Sequence, residues 1–291
     1  MKLNYINDIK AHISIFASRK TSSILEGTYK SIYRGKSMNF ENLREYVYDD
    51  DIKDIDWKAS ARTGKLLVKQ FIAEKKHNIM IVLDSGLKMY GDSKKNEEKR
   101  EIATYIAGTL GYLATTNGDY TSMIYNNNDL VEINPFKNDL YHLEYNLVKY
   151  HKLSINSNNE GINKTLSYLS KYLNKRMIIF VITDLSGMEN INEKYLKELR
   201  INSDVLFINI NDINMDIENL YDIENNTYIP QVFLKDEKLH SLEEQLKNEI
   251  YTKQIKKLKK LRIDTISLDS KKEIQEKIIE LLERHKYASI H

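Results

Sequence analysis

The sequence predicts an α/β protein with a doubly wound, mainly parallel sheet, preceded by a small N-terminal β-rich appendage. Two continuous apolar runs, NIMIVLD and RMIIFVITD, each end in a carboxylate and are typical of central strands buried on both faces. Segments with helical periodicity separate these runs from two further apolar segments, DVLFINI and IDTISL. Strands that alternate with helices favour a parallel sheet covered by helices on both faces.

The first part of the chain is predicted to form the appendage. Residues 5–20 have apolar side chains at helical spacing, which predicts a short amphipathic helix. The segments GTYKSIYRG and GKLLVKQF are rich in β-branched and aromatic residues and are predicted to be strands. We therefore expect a helix and β-rich appendage over residues 1–76 and the sheet domain over residues 77–291.

The elements of the sheet domain follow from the same patterns. The strand NIMIVLD is followed by a helix over about 97–115, whose apolar stripe includes Ile102, Ile106, Leu110 and Leu113. The segments YTSMIY and LVEINP predict a hairpin. The remaining elements are helices near 136–150 and 162–174, strand RMIIFVITD, helix 190–200, strand DVLFINI, a hairpin around Pro230, a long helix, strand IDTISL and a terminal helix.

Composition and charge exclude several classes of function. The 44 basic and 42 acidic residues are interspersed and give a net charge of +2, so no nucleic-acid partner is expected. The sequence has no Cys, which removes thiolate chemistry and fits a reducing compartment. Its longest apolar runs are much shorter than the roughly 20 residues that span a bilayer, and its start lacks a signal-peptide core. We expect a cytoplasmic protein without an integral membrane segment.

The stretch between Asn39 and Phe71 contains residues that folding alone explains poorly. The only Trp of the protein, Trp57, lies here, and a cluster of five aspartates lies between Arg44 and Arg62 (Asp49, Asp50, Asp51, Asp54 and Asp56). Arginine is favoured over lysine where a planar fork grips a carboxylate in two places. One interpretation pairs Arg44 and Arg62 with part of this cluster, with Trp57 and Tyr46 packed beside them. The alternative is a solvated acidic turn.

The same stretch resembles a known family. Its pattern of an aromatic residue, L-R-E-Y, a paired acid, I-D-W and A-R-T-G is similar to the signature of the domain of unknown function 58 family, bacterial proteins with a von Willebrand factor A-like domain. The residues in register are Phe40, Leu43, Arg44, Tyr46, Asp50, Asp51, Ile55, Asp56, Trp57, Ala61, Arg62, Thr63 and Gly64. The sequence departs from the signature at Tyr48 and Asp49, where the family has Pro-Gly, and at Lys53, where it has Arg.

The resemblance implies a strand-end site. Where a von Willebrand factor A domain binds a divalent ion, it does so with Asp-x-Ser-x-Ser after the first strand, a Thr from a later loop and a second Asp. Here Asp84 and Asp184 end apolar strands, but Gly86 and Lys88 stand where the two hydroxyls would be, and Ile162 where the Thr would be. We therefore expect a degenerate, metal-free site in which Lys88 replaces the ion, and no cofactor.

Two alternatives remain open at this site. A slipped register, with Ser85 as a ligand, would retain metal binding. A strand-end aspartate can also simply cap the turn that follows it.

The leading functional hypothesis is a non-enzymatic protein-interaction or adaptor module, since the common catalytic motifs are absent from the sequence. The predicted interaction rim comprises Met89, Tyr90, Leu185 and Met188, in the loops after the two strands. Family members are commonly encoded beside MoxR-type AAA+ ATPases, so the resemblance implies such a partner in a chaperone-like role on client proteins or complex assembly. The alternative is a metal-dependent phosphohydrolase or nuclease that uses the carboxylates from Asp49 to Asp56.

One further feature has two interpretations. Five lysines, at 253, 256, 257, 259 and 260, lie near the end of a predicted helix. Cations there suit the helix dipole, which favours a solvated helix end. The alternative is a basic docking patch.

Overall fold

A computed structural model describes most of the chain. The described residues are 4–16, 29, 42–48, 52, 55–70, 76–128, 130–154, 161–172, 175–215 and 219–288. No helix within these ranges is both long and apolar enough to cross a membrane.

The described elements follow the predicted alternation. The strands are β1 (Asn42–Glu45), β2 (Leu67–Gln70), β3 (Asn78–Leu83), β4 (Tyr120–Asn127), β5 (Leu130–Ile133), β6 (Ile178–Asp184), β7 (Asp204–Ile210), β8 (Tyr221–Asp222), β9 (Thr227–Tyr228) and β10 (Asp264–Leu268). The helices are α1 (Asn4–Phe16), α2 (Trp57–Thr63), α3 (Lys99–Thr116), α4 (Leu140–His151), α5 (Ile162–Tyr172), α6 (Leu185–Asn190), α7 (Glu193–Asn202), α8 (Gln231–Leu234), α9 (Glu237–Lys260) and α10 (Ile274–Ala288).

The central sheet has six strands in the order β10-β7-β6-β3-β4-β5. All neighbours are parallel except β4 and β5, which form the predicted antiparallel hairpin. If these six strands are renumbered 1 to 6 along the chain, their order in the sheet is 3-2-1-4-5-6, the order of a doubly wound fold. The direction of this order reverses between β3 and β6. The predicted α/β fold is confirmed.

Two apolar cores cover the two faces of the sheet. Because side chains alternate along a strand, Ile79, Ile81 and Leu83 of β3 enter one core, while Met80 and Val82 enter the other. The first core contains side chains of α1, α3, α4 and α10, and the second contains side chains of α5, α6, α7 and α9. Burial on both faces explains why the sequence of β3 is continuously apolar.

Helix α1 lies against the sheet domain. The carboxylate of Glu144 in α4 accepts hydrogen bonds from the backbone N–H groups of Tyr5 and Ile6, each at 2.9 Å. These two N–H groups belong to the first turn of α1, where no intrahelical acceptor exists. The sequence assigned this helix to the appendage, and the boundary at residue 76 stays a prediction.

The described residues between 42 and 70 contain a two-stranded sheet and the short helix α2. Strands β1 and β2 pair antiparallel, and Ile55 forms an additional bridge to Val68. The predicted strand GKLLVKQF is thus confirmed as β2. The predicted strand GTYKSIYRG lies outside the described residues except for Tyr29, which is buried and donates a hydrogen bond to Asp119 at 2.7 Å.

Short helices are the main difference from the predicted elements. Helix α2 begins because the side chain of Asp56 accepts hydrogen bonds from the N–H groups of Lys58 and Ala59, and it ends at Gly64, whose φ of 70° is left-handed. Helix α6 begins in the same way, with Asp184 accepting from Gly187. Apolar periodicity does not reveal such short helices, since one or two turns contain too few residues to repeat.

Candidate functional site

The candidate site lies where the strand order of the sheet reverses, between the carboxyl ends of β3 and β6. Asp84 follows β3 and Asp184 ends β6, and both line one cavity of about 280 Å³. The N-terminus of α5 and the side chains of Lys88 and Glu224 complete its wall. Ligands of doubly wound sheets bind in this position.

Asp84 is held by hydrogen bonds at the base of the cavity and is only 3% exposed. One carboxylate oxygen, Oδ1, accepts from the N–H of Gly86 at 2.8 Å, and Oδ2 accepts from the hydroxyl of Thr183 at 2.5 Å. Burial, followed by the charge of Asp184, raises the pKa of Asp84 to about 6. This carboxyl group therefore changes its charge at a mildly acidic pH.

Glycine backbone surrounds the same carboxylate. A Cβ at Gly187 would lie 1.9 Å from Thr183 Oγ1 and 2.3 Å from Asp84 Oδ2. A Cβ at Gly86 would lie 3.1 Å from Asp84 Oδ1. The close approach of Gly187 is therefore possible only without a side chain.

Asp184 is paired with a buried lysine from α3. Lys99 Nζ lies 2.6 Å from Asp184 Oδ2 and also contacts the carboxylate of Asp212, and the side chains of Lys99 and Asp184 are each 2% exposed. Burial alone would lower the pKa of Lys99, but the two carboxylates raise it above its ordinary value. The cation at the switch point is therefore supplied by the chain itself.

The prediction that Lys88 neutralises the two aspartates is wrong. Lys88 Nζ lies 3.3 Å from Glu224, and both side chains are about half exposed at the mouth of the cavity. The buried ammonium is that of Lys99. A signal for it existed in the sequence, because Lys99 stands three residues before Ile102 and seven before Ile106, on the apolar stripe of the helix.

The sequence did not predict Asp212 as a site residue. This aspartate follows the strand DVLFINI, as Asp84 follows β3, so it is a third carboxylate at the same edge of the sheet. Burial raises the pKa of Asp212, and the nearby ammonium of Lys99 opposes that shift.

These residues do not fit a divalent ion. The described ranges contain no group of three or more His, Asp or Glu side chains that could hold a metal. Gly86 offers no side-chain oxygen, and Lys99 already contacts Asp184. The slipped register fits no better, because the hydroxyl of Ser85 donates to the backbone oxygen of Asn126 at 2.6 Å.

The predicted interaction rim is only partly exposed. Met89 and Met188 are 1% and 3% exposed, so the prediction that they form an exposed rim is wrong: both pack into the core. Leu185 is half-buried. Tyr90 is also half-buried, beneath the guanidinium of Arg100 at 4.2 Å from the ring centre.

The acidic motif is described in part. Asp56 caps α2, which gives this carboxylate a structural role. Trp57 and Arg62 are exposed on α2, so neither side chain is buried in the fold. The packing of Trp57 and Tyr46 beside the arginines stays a prediction. Arg44 and Tyr46 are half-buried, and Arg44 donates to the backbone oxygen of Glu45 at 3.3 Å.

The other carboxylates of the motif, Asp49, Asp50, Asp51 and Asp54, lie outside the described residues. The pairing of Arg44 or Arg62 with this cluster therefore stays a prediction. So does the convergence of the carboxylates that a hydrolase would need.

Exposed apolar side chains are concentrated around the motif. We name this set the motif surface: Leu43, Val47, Tyr48, Ile52, Trp57 and Leu66. Tyr48 is 93% exposed and Trp57 is 63% exposed. Exposed Tyr and Trp side chains are enriched at protein interfaces relative to the rest of the surface.

Comparison with known proteins identifies a family match over most of the chain. The family described as "Protein of unknown function DUF58" matches residues 42–218, which confirms the resemblance drawn from the motif. Similar curated proteins are the uncharacterized protein Rv1480 of Mycobacterium tuberculosis and the uncharacterized protein Mb1516 of Mycobacterium bovis, each 25% identical over 108 residues. The match covers 37% of this chain and 33% of each relative, so this chain spans about a third of the length of those relatives.

Two solved structures are similar to the fold. A von Willebrand factor type A protein from Catenulispora acidiphila is 9% identical with a TM-score of 0.40, covering 74% of this chain and 43% of its own. The VWA domain of SpRpn10 is 11% identical with a TM-score of 0.34, covering 72% of this chain and 95% of its own.

Proposed function

The chain belongs to the DUF58 family, and on that premise we propose that it is a protein-interaction module that binds its partner through the motif surface. The partner we propose is a MoxR-type AAA+ ATPase, and the module would couple that ATPase to client proteins or to complex assembly. The proposal contains no catalytic step by this chain.

The observation that supports the proposal best is the exposure of the motif surface. Val47 is 61% exposed and Ile52 is 65% exposed, in addition to the exposed Tyr48 and Trp57. Burying such side chains against a partner contributes roughly 25 cal/mol per Å² of apolar area before the costs of association. Tyr and Trp are also the residues most often found as energetic anchors of interfaces.

The chemistry of the strand-end cavity agrees with an interaction role. Asp184 is neutralised by Lys99, and both oxygens of Asp84 accept hydrogen bonds from within the chain. Satisfied groups of this kind stabilise a rigid scaffold. The choice of a MoxR-type ATPase rests on the family resemblance and not on any contact in the structure.

Binding to the purified ATPase tests the proposal. Wild type and a Tyr48→Ala, Trp57→Ala variant should be compared by interferometry against a MoxR-type ATPase from the same genome. We expect the variant to bind about tenfold more weakly, which corresponds to about 1.4 kcal/mol. The thermal midpoint should not change, since both side chains are exposed.

The matched control is Tyr141→Ala with Tyr145→Ala on α4. These tyrosines are 60% and 54% exposed, one helical turn apart and outside the motif surface. The control should bind like wild type. A Tyr48→Ala, Trp57→Ala variant that binds like wild type, or no more weakly than the control, would contradict the assignment of the interface to the motif surface. A wild-type protein that fails to bind would remove the ATPase as partner.

A further inference from the structure

The C-terminal half of α9 has an unusual distribution of charge. Five lysines lie between Ile250 and Lys260, and this segment contains no acidic residue. They are Lys253, Lys256, Lys257, Lys259 and Lys260, all exposed except the half-buried Lys257. Four of them, with Lys259 excepted, line an open groove of about 640 Å³ along the helix.

None of these lysines forms an ion pair with a described carboxylate, although Glu249 lines the same groove. On α7, by contrast, Lys194 pairs with Glu198 and Lys197 pairs with Glu193. In α9 the pairs 253/257 and 256/260 place like charges one turn apart, which destabilises a helix by about 0.2 to 0.5 kcal/mol per pair. An anionic partner would relieve this repulsion.

Two exposed leucines lie on the same face of α9 as the lysines, nearer its N-terminus. Leu242 and Leu246 are each 50% exposed, and positions 242, 246, 253 and 260 repeat at helical spacing on one face. This line is about 27 Å long at 1.5 Å per residue. The opposite face holds the helix on the sheet domain, because Gln254 and Leu258 are buried there.

We propose that this line, from Leu242 through Lys260, docks an acidic amphipathic segment of a partner protein. Such a segment would contact the two leucines with apolar side chains and the lysines with carboxylates. A protein segment is favoured over an anionic membrane because Glu249 lies on this line, three residues after Leu246, and lines the groove together with the lysines. A peptide can place a neutral side chain opposite Glu249 and carboxylates opposite the lysines, whereas a uniformly anionic bilayer surface cannot. Nucleic acid phosphates would leave the leucines without an apolar contact.

The test uses two synthetic helical peptides. One presents two leucines a turn apart, followed by glutamates at the spacing of Lys253, Lys256, Lys257 and Lys260. The other has glutamine in place of each glutamate. Calorimetry with the full chain should show about tenfold tighter binding of the glutamate peptide, and this difference should shrink as salt is added.

Variants assign the binding to α9. Lys253→Gln with Lys257→Gln should weaken binding of the glutamate peptide about tenfold, and Leu242→Ser with Leu246→Ser should weaken binding of both peptides. The matched control, Lys194→Gln with Lys197→Gln, removes two exposed lysines of helix α7 and should leave the affinity unchanged.

Several results would overturn the proposal. These are equal affinity for the two peptides, no binding by wild type, or no effect of the Lys253 and Lys257 changes. Binding to phosphatidylcholine vesicles that contain phosphatidylserine, without binding of the peptide, would assign the surface to lipid. The motif surface shares no residue with this line, so this proposal and the ATPase proposal can fail separately.

Discussion

Lys99 donates a hydrogen bond to Asp184 at 2.6 Å, and each of these side chains is only 2% exposed. A buried lysine without a carboxylate would lose its proton rather than keep its charge. A buried carboxylate without a cation would be destabilised in the same way. The pair joins the first turn of α3 to the end of β6, so the switch point of the sheet is fixed by an interaction that both partners require.

Replacing Lys99 should therefore destabilise the protein strongly. In Lys99→Met the side-chain volume is nearly kept, but Asp184 and Asp212 lose their shared cation. We expect the free energy of unfolding to fall by about 3 to 5 kcal/mol, as for other buried pairs broken on one side. Denaturant unfolding measures this directly.

The control for this change is Lys88→Met, which breaks the exposed pair with Glu224. Exposed pairs contribute about 0 to 1 kcal/mol. If the two variants had the same stability, the buried pair would not have the structural role assigned to it.

Gly187 should not tolerate a side chain. A Cβ there would lie 1.9 Å from Thr183 Oγ1, so Gly187→Ala must displace the hydroxyl that donates to Asp84. We expect a loss of about 1 to 3 kcal/mol, the usual cost of overpacking. Thermal unfolding of this variant should be compared with that of Ser186→Ala, the half-buried neighbour, whose midpoint should stay near wild type. Similar midpoints would mean that the loop adjusts without strain.

Part of this site could be predicted from the sequence. The runs NIMIVLD and RMIIFVITD are apolar because both faces of β3 and β6 are buried, and their terminal carboxylates mark the edge of the sheet. The carboxyl ends of parallel strands lie at the same edge of a sheet. The fold class therefore predicts that Asp84 and Asp184 line the same cavity, as they do.

The partners of these aspartates could not be predicted in the same way. The local sequence around a strand-end aspartate is the same whether the side chain caps a helix or contacts a buried cation. Asp184 does both. The choice between Lys88 and Lys99 depends on how α3 is rotated against the sheet, which is a tertiary property. Met89 and Met188 lie in segments just after strands, yet both side chains turn into the core.

Wild-type protein should show negligible affinity for Mg²⁺, Mn²⁺ or Ca²⁺, because Gly86 and Lys88 supply no side-chain oxygen and Lys99 already contacts Asp184. Restoring the two hydroxyls with Gly86→Ser and Lys88→Ser should not be sufficient, since the ammonium of Lys99 remains in place. Calorimetry measures both proteins. Micromolar binding by the double variant that Asp84→Ala abolishes would mean that a metal ion can displace Lys99.

The pH dependence of stability should include a contribution from Asp84. Its pKa is raised from 3.8 to about 6 in the folded protein by burial and by the charge of Asp184. The folded state therefore binds this proton more tightly than the unfolded state. Stability falls as the pH rises from about 4 to about 6, by about 3 kcal/mol for this group, and the full cost is present above that window.

Asp84→Asn cannot ionise and should lack this contribution. The free energy of unfolding of both proteins should be measured with urea at about pH 4, 5, 6 and 7. We expect the stability of the variant, relative to wild type, to rise over the pH range in which Asp84 loses its proton in the folded protein. Asp212, whose pKa burial also raises, is present in both proteins, so most of its effect cancels. Parallel stability curves for the two proteins would mean that Asp84 keeps an ordinary pKa despite its burial.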